Sequence, residues 1–264
     1  MHDFKYQKAG SVADAVAALK AADDGKVMAG GMTLLPTMKQ RLAAPSDVID
    51  LAGIGGINGI SASGGVTIGA MATHASVAGS ADVKGAIPAL AHLADGIGDP
   101  QVRNRGTIGG SIANNDPAAD YPAACLALGA TIKTDRREIS ADDFFKGLFE
   151  TALAEDEIIT SVSFPKPEKA AYVKFPNPAS RYALVGVFVA KTASGVRVAV
   201  TGAGDDGVFR ATALEQALSS NFSASALDGV SVSDSGLMSD IHASAEYRAH
   251  LITVMAKRAV AAAG

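Results

Sequence analysis

The chain has 264 residues, 48% hydrophobic and 19% charged, with a mean hydropathy of +0.20; this excludes a disordered chain and fits one or two domains around a buried core. Lys plus Arg number 23 against 27 Asp plus Glu, a net charge of −4, so the electrostatic footprint of a non-specific nucleic-acid binder is missing. One cysteine, Cys125, excludes an internal disulfide, a four-cysteine zinc site and an iron–sulfur cluster held by this chain alone. The opening Met1-His2-Asp3-Phe4-Lys5 is polar and no 18-residue apolar run occurs. The sequence therefore predicts neither a signal peptide nor an integral membrane span, and a cytoplasmic location. Glycine, 28 residues, exceeds the usual share of about 7% and falls in pairs beside apolar runs. Such glycines mark places where backbone comes close to a ligand.

In chain order, Ser11 is a good N-cap with Asp14 three residues on, and Val12, Val16 and Leu19 follow at helical spacing. Lys26 to Ala29 reads as a short buried strand running into Gly30-Gly31. A second helix follows through Leu34, Leu35, Met38 and Leu42, with Pro36 placed in its first turn. Asp47 to Leu51 reads as another strand, so helix and strand alternate as in a small parallel α/β unit. Gly65 to Ala70 is a strand, Thr73 an N-cap for a helix over His74 to Ala78, and Ala86 to Leu93 a helix that tolerates Pro88 in its first turn. The Gly- and polar-rich stretch from Gly96 to Asp120 is far too long for an idle loop. Ala127 to Lys133 pairs with Arg137 to Ser140 across a turn. A helical stretch Ala141 to Gly147 then precedes a strand over Ile158 to Phe164.

Pro165-Lys166-Pro167 marks a boundary. Beyond it come strands over Ala171 to Phe175, Tyr182 to Val189 and Val196 to Thr201, with Gly202-Ala203-Gly204 as a strand-end turn. A last helix starts at Ser244 and turns Tyr247, Leu251, Val254 and Met255 inward. The organisation is a larger α+β domain at 1–164, with subdomains at about 1–55 and 56–164, and a smaller α+β domain at 165–264.

Two segments carry candidate chemistry. Ala29-Gly30-Gly31-Met32-Thr33-Leu34 sets two glycines between a strand and a helix, where unpaired N–H groups suit a phosphate. It is neither a G-x-G-x-x-G nor a Walker sequence, and a tight structural turn is the competing reading. Arg103-Asn104-Arg105-Gly106-Thr107-Ile108-Gly109-Gly110-Ser111 combines a second glycine pair with hydroxyls and two arginines. There Thr107, Ser111 and the intervening amides can surround a diphosphate. Asp120, soon after, is the type of carboxylate that accepts ribose hydroxyls. His74 has no His or Glu at i±4, and His92, His242 and His250 are scattered, so no metal site is expected. Cys125 sits in an apolar run and reads as a packed core thiol. No serine elbow or H-E-x-x-H occurs.

Ala29-Gly30-Gly31 with Leu34-Leu35-Pro36, Gly69-Ala70-Met71-Ala72-Thr73-His74, the Arg103 to Ser111 block and Asp116-Pro117-Ala118-Ala119-Asp120 occur in order. Together they resemble the FAD-binding medium subunit of molybdenum hydroxylases, the carbon monoxide dehydrogenase and xanthine dehydrogenase family. The resemblance implies an α+β fold of two FAD-binding subdomains (PCMH-type), followed by a C-terminal domain with a three-stranded sheet and helices. It implies non-covalent FAD with its diphosphate held by Ala29, Gly30, Gly31, Met32, Thr33 and Leu34 and by Thr107, Gly109, Gly110 and Ser111. Asp120 would bind a ribose or ribityl hydroxyl. Ile97, Ile159 and Lys174 would lie beside the isoalloxazine, with His74 near the cofactor. Met32 stands where relatives often have a polar residue, and Ser111 where Asn is common. By the same resemblance the chain has no catalytic acid or base and relays electrons. Molybdopterin would sit on a large partner subunit and [2Fe-2S] clusters on a small iron–sulfur partner. The assembly implied is a hetero-oligomer, for which a dimer of heterotrimers is one arrangement. The competing readings are a free-standing FAD-dependent reductase or oxidase and a structural subunit that has lost its flavin.

Overall fold

The computed structural model describes residues 1–264. Its first unit holds β1 (Lys5–Lys8), α1 (Val12–Ala21), β2 (Gly25–Met28), α2 (Leu34–Lys39) and β3 (Asp47–Asp50), with a parallel sheet in the order β1-β3-β2. The Ser11 hydroxyl accepts the Asp14 N–H at 3.1 Å, and α1 turns Ala15 and Leu19 onto the sheet. The edge strand β1 escapes sequence reading because all four of its residues are exposed, so it has no alternation. Leu42, expected on the second helix, lies outside it and is exposed. Arg41, with φ at +61°, ends that helical path first.

The second unit runs through β4 (Ile60–Ala62), β5 (Gly65–Gly69), α3 (His74–Gly79), α4 (Ala81–Ala86), α5 (Pro88–Asp95), α6 (Pro100–Arg103), α7 (Ile108–Asn114) and α8 (Tyr121–Leu128). It continues with β6 (Thr131–Thr134), β7 (Glu138–Ser140), α9 (Ala141–Phe144), β8 (Phe145–Gly147), β9 (Glu150–Thr151) and β10 (Ile159–Pro165). Five strands form an antiparallel sheet in the order β4-β5-β10-β6-β7. Three expectations are corrected here. The Ala86 to Leu93 helix is two helices broken at Ile87, with Pro88 opening the second. Ala127 and Leu128 belong to α8, not to the following strand; every residue of α8 is buried, so it shows no apolar stripe to read. The helix from Ala141 stops at Phe144, because Phe145 to Gly147 pairs with β9.

The C-terminal unit has β11 (Lys169–Pro176), β12 (Ala183–Thr192), β13 (Gly195–Thr201), β14 (Phe209–Arg210), α10 (Thr212–Ser220) and α11 (Ala245–Ala263). Three long antiparallel strands carry a two-residue fourth at the edge, in the order β11-β12-β13-β14. One face of this sheet packs under α10 and α11. On the other face, Tyr172, Phe188, Ala190 and Ala199 join the same core as α8 of the second unit. Burial on both faces explains the continuous apolar run along β12. The Ser244 hydroxyl caps α11, and Leu251 and Met255 face inward as expected, whereas Tyr247 is 43% exposed with its ring edge-on to Phe175.

Candidate cofactor site

The strand-to-helix turn after β2 is where backbone donors collect. None of the six N–H groups from Ala29 to Leu34 donates to another atom of the chain. Gly31 sits at φ +73°, which an L side chain rarely adopts, and so turns the chain inside this run. Because α2 is only six residues long, the site rests on these consecutive donors more than on a helix dipole; such a run forms an anion-binding concavity.

The second glycine pair is arranged differently from the expectation. Gly96 to Asp120 contains α6 and α7, and Gly109 and Gly110 lie inside α7, without positive φ. Its opening amides are already committed. Ile108 donates to the Ala72 carbonyl at 3.1 Å and Gly109 to the Ala70 carbonyl at 2.9 Å, while Gly110 donates to the Thr107 hydroxyl at 3.1 Å and Ser111 to the Thr107 carbonyl at 3.0 Å. The intervening amides are therefore not free for a ligand, which corrects the sequence reading. The hydroxyls of Ser111 and Thr107 keep the capacity to donate.

Glycine at these positions buys closeness. A Cβ on Gly30 would stand 2.0 Å from the Arg105 carbonyl oxygen, and one on Gly109 would stand 2.7 Å from the Ala70 carbonyl oxygen. A Cβ on Gly110 would meet Ala29 at 3.4 Å. The two glycine-rich segments, the turn after β2 and the stretch from Arg105 into α7, thus press against each other. A donor run held by a backbone approach that leaves no room for a side chain at Gly30 fits a diphosphate, so the residues present pass this test for a diphosphate-bearing cofactor.

His74 is buried, with its backbone N–H donating to the Gly106 carbonyl at 2.9 Å and its ring 5.4 Å from that of Tyr121. Burial, with Arg103 adding to it, pulls its pKa down to about 4. Its Nδ1 and the Tyr121 hydroxyl are buried without a hydrogen-bond partner. Cys125 is fully buried on α8, and burial pushes its thiol pKa up, so it is inert packing.

Asp120 opens α8 and is 5% exposed. Two donors from β11 meet it. The Tyr172 hydroxyl donates to its Oδ1, and Lys174 Nζ lies 3.1 Å from Oδ1 and 3.2 Å from Oδ2. Burial raises the Asp120 pKa, and the Lys174 charge and the Tyr172 hydrogen bond oppose that rise. Lys174 Nζ also donates to the Gly96 carbonyl at 2.8 Å, next to Ile97. The Arg103 guanidinium holds the Ile97 and Gly98 carbonyls at 3.0 and 3.1 Å. Asp120, Lys174 and the Ile97 loop are therefore one cluster. Ile159 is buried on β10, and the adjacent Thr160 carbonyl accepts from the Ala70 N–H that precedes the Gly109 contact. Sequence reasoning missed Tyr172 and gave Arg103, though part of the candidate block, no role of its own; Tyr172 shares a strand face with Lys174, two residues away, and that spacing was the available signal.

An α+β fold with such a donor turn suits a phosphate-bearing cofactor. The model of the FAD binding domain in molybdopterin dehydrogenase matches residues 2–167, and that of the CO dehydrogenase flavoprotein C-terminal domain matches residues 170–263. The nicotine 6-hydroxylase medium subunit of Paenarthrobacter nicotinovorans is 38% identical over 98% of this chain and 97% of its own. The carbon monoxide dehydrogenase medium chain of Afipia carboxidovorans is 34% identical over 97% and 95%. Reconstituted CO dehydrogenase from Oligotropha carboxidovorans superposes with a TM-score of 0.91 at 33% identity, covering 99% of this chain and 97% of that one. The chain belongs to the FAD-binding medium subunits of the molybdenum hydroxylases, a family of oxidoreductase subunits. No helix is long and apolar enough to cross a membrane.

Proposed function

We propose that this chain is the electron-transfer subunit of a molybdenum hydroxylase complex, receiving electrons from an iron–sulfur partner and passing them to an external acceptor. The observation that carries this reading is the run of six unpartnered N–H groups from Ala29 to Leu34, locked by Gly30 against Arg105. Bound FAD would supply redox chemistry in both one- and two-electron steps, while the protein supplies position and electrostatics.

In this reading Ala29, Gly30, Gly31, Met32, Thr33 and Leu34 bind the diphosphate through backbone N–H, and Thr107 and Ser111 add hydroxyls. Gly110 brings α7 beside Ala29 of that turn, and Gly109 seats α7 against Ala70. Asp120 orients a ribose or ribityl hydroxyl through its carboxylate. Ile97, Ile159 and Lys174 would lie beside the isoalloxazine. His74 supports the Gly106 backbone from within the core and stays neutral. No residue of this chain is assigned as a catalytic acid or base; a proton taken up when bound flavin is reduced would come from solvent.

The partners are a large molybdenum-binding subunit and a small Cys-rich subunit with [2Fe-2S] clusters, because one cysteine cannot hold a cluster. A stable complex of this kind buries on the order of 2,000 Å² or more. Co-expression with both partners is expected to give a cytoplasmic hetero-oligomer whose flavin is bleached by substrate. The isolated chain is expected to keep FAD and hydroxylate nothing. Turnover by the isolated chain at the rate of the complex would overturn the relay.

A further inference from the structure

Asp120 is the residue around which the C-terminal domain closes on the FAD-binding domain. The contact is built by three strands. From β11, Tyr172 and Lys174 project from the same strand face and both reach the Asp120 carboxylate. From β13, the buried Thr201 hydroxyl lies 2.6 Å from the Ala119 carbonyl and 3.0 Å from the Pro117 carbonyl. The Gly202 N–H donates to that same Pro117 carbonyl at 2.8 Å. Between them, β12 places Gly186 directly opposite Lys174 on one side and Thr201 on the other. The Pro117–Asp120 turn is therefore seated on the C-terminal sheet.

Gly186 has a steric reason to be glycine. The Tyr172 ring stacks on Phe188, its cross-strand partner, with centroids 6.0 Å apart. Its hydroxyl leans diagonally over Gly186, where a Cβ would stand 2.3 Å from that oxygen and 2.9 Å from Thr201 Cγ2. Any side chain at 186 would displace the hydroxyl from Asp120. The two carboxylate oxygens are thereby made unequal. Oδ1 accepts from Tyr172 and faces Lys174, while Oδ2 accepts only from Lys174 at 3.2 Å. A carboxylate has about four acceptor sites, so Oδ2 keeps capacity for a ligand hydroxyl.

We propose that Tyr172 is a positioning residue for the cofactor site, holding Oδ1 of Asp120 so that Oδ2 is presented to a cofactor hydroxyl, and that Gly186 is glycine to admit the Tyr172 hydroxyl. The inference rests on the FAD reading above. The phenol is a neutral donor in a buried place, so it orients the carboxylate without adding a second charge beside Lys174. A freely rotating carboxylate would instead turn either oxygen to Lys174 and lose its aim.

The test uses the full-length chain stripped of flavin and titrated with FAD, following quenching of flavin fluorescence. Tyr172→Phe keeps the ring on Phe188 and is expected to weaken FAD about tenfold, alongside a lowered urea midpoint from the lost hydrogen bond to Asp120. It is also expected to lower the midpoint potential of the bound flavin, because the Asp120 charge loses a compensating donor. Gly186→Ala, which leaves Tyr172 present but displaced, is expected to reproduce both effects. In an Asp120→Ala background, Tyr172→Phe is expected to change neither. Wild-type affinity and potential in Tyr172→Phe, or an equal loss in the Asp120→Ala background, would overturn the positioning role while leaving FAD binding intact. Failure of the wild-type chain to bind FAD would overturn the FAD reading and this inference with it.

Discussion

Gly30→Ala is the sharpest perturbation of the donor turn. The added Cβ would stand 2.0 Å from the Arg105 carbonyl oxygen, 2.6 Å from its carbon and 2.9 Å from Gly106 Cα. Non-bonded heavy atoms rest about 3.5–4.0 Å apart, so the two backbones must part by roughly 1.5 Å. All three obstacles are backbone, which cannot swing aside as a side-chain tip can. Overpacking of this kind costs about 1–3 kcal/mol. The displacement falls on the wall that sets the donor run from Ala29 to Leu34, so FAD affinity is expected to drop about 10–100-fold. Gly110→Ala is the internal control, because its Cβ meets only the Thr107 hydroxyl at 3.1 Å and the Ala29 methyl at 3.4 Å. Its loss is expected to stay within about fivefold, less than the tenfold that 1.4 kcal/mol represents. Flavin-fluorescence titration of the two apoproteins, with urea unfolding of each, measures both effects. If Gly30→Ala binds FAD as the wild type does, or Gly110→Ala is the more damaging, the close approach does not shape the site.

Denaturation is expected to release the flavin into the supernatant with the mass of FAD, and flavin retained on the precipitated chain would show covalent attachment instead. His74, whose pKa is lowered from 6.5 to about 4 by burial and Arg103, binds its proton more readily in the unfolded chain; its share of stability is therefore lost as pH falls from about 6.5 to about 4, and NMR titration of its ring at pH 5.5 should find it neutral. Glu157 has its pKa lowered from 4.5 to about 2, chiefly by its hydrogen bonds with Arg137. The stability it contributes is present above about pH 4.5 and lost as pH falls towards 2, so Glu157→Gln should flatten acid unfolding in that window. Arg248 is 2% exposed and donates to the Leu184 and Gly202 carbonyls and to Asp240, each at 2.7 Å. Arg248→Ala strands those acceptors and is expected to cost about 3 kcal/mol in urea unfolding, a cost near zero being the refuting result.

By itself the sequence determined what is encoded locally. Ser11, Thr73 and Ser244 mark helix starts because a capping hydroxyl acts within three residues. Gly30-Gly31 marked a strand-to-helix turn, for which a phosphate site and a purely structural turn were both open, and the order of the motifs identified the family. Tertiary structure decided what depends on distant partners. β1 became a strand only because Tyr6 and its neighbours pair with β3 some 40 residues on, and α8 is a helix whose apolar surround leaves no stripe to read. At the site, Ile108 to Ser111 looked like phosphate donors until folding brought the Ala70 and Ala72 carbonyls to two of them and the Thr107 hydroxyl and carbonyl took the others. Asp120 was legible as a carboxylate of interest, but its grip by Tyr172, 52 residues away, was not. Caps and turns are set by interactions within a few residues and leave their mark in the sequence, whereas the use of an amide or a carboxylate is settled by whichever partner the fold delivers to it.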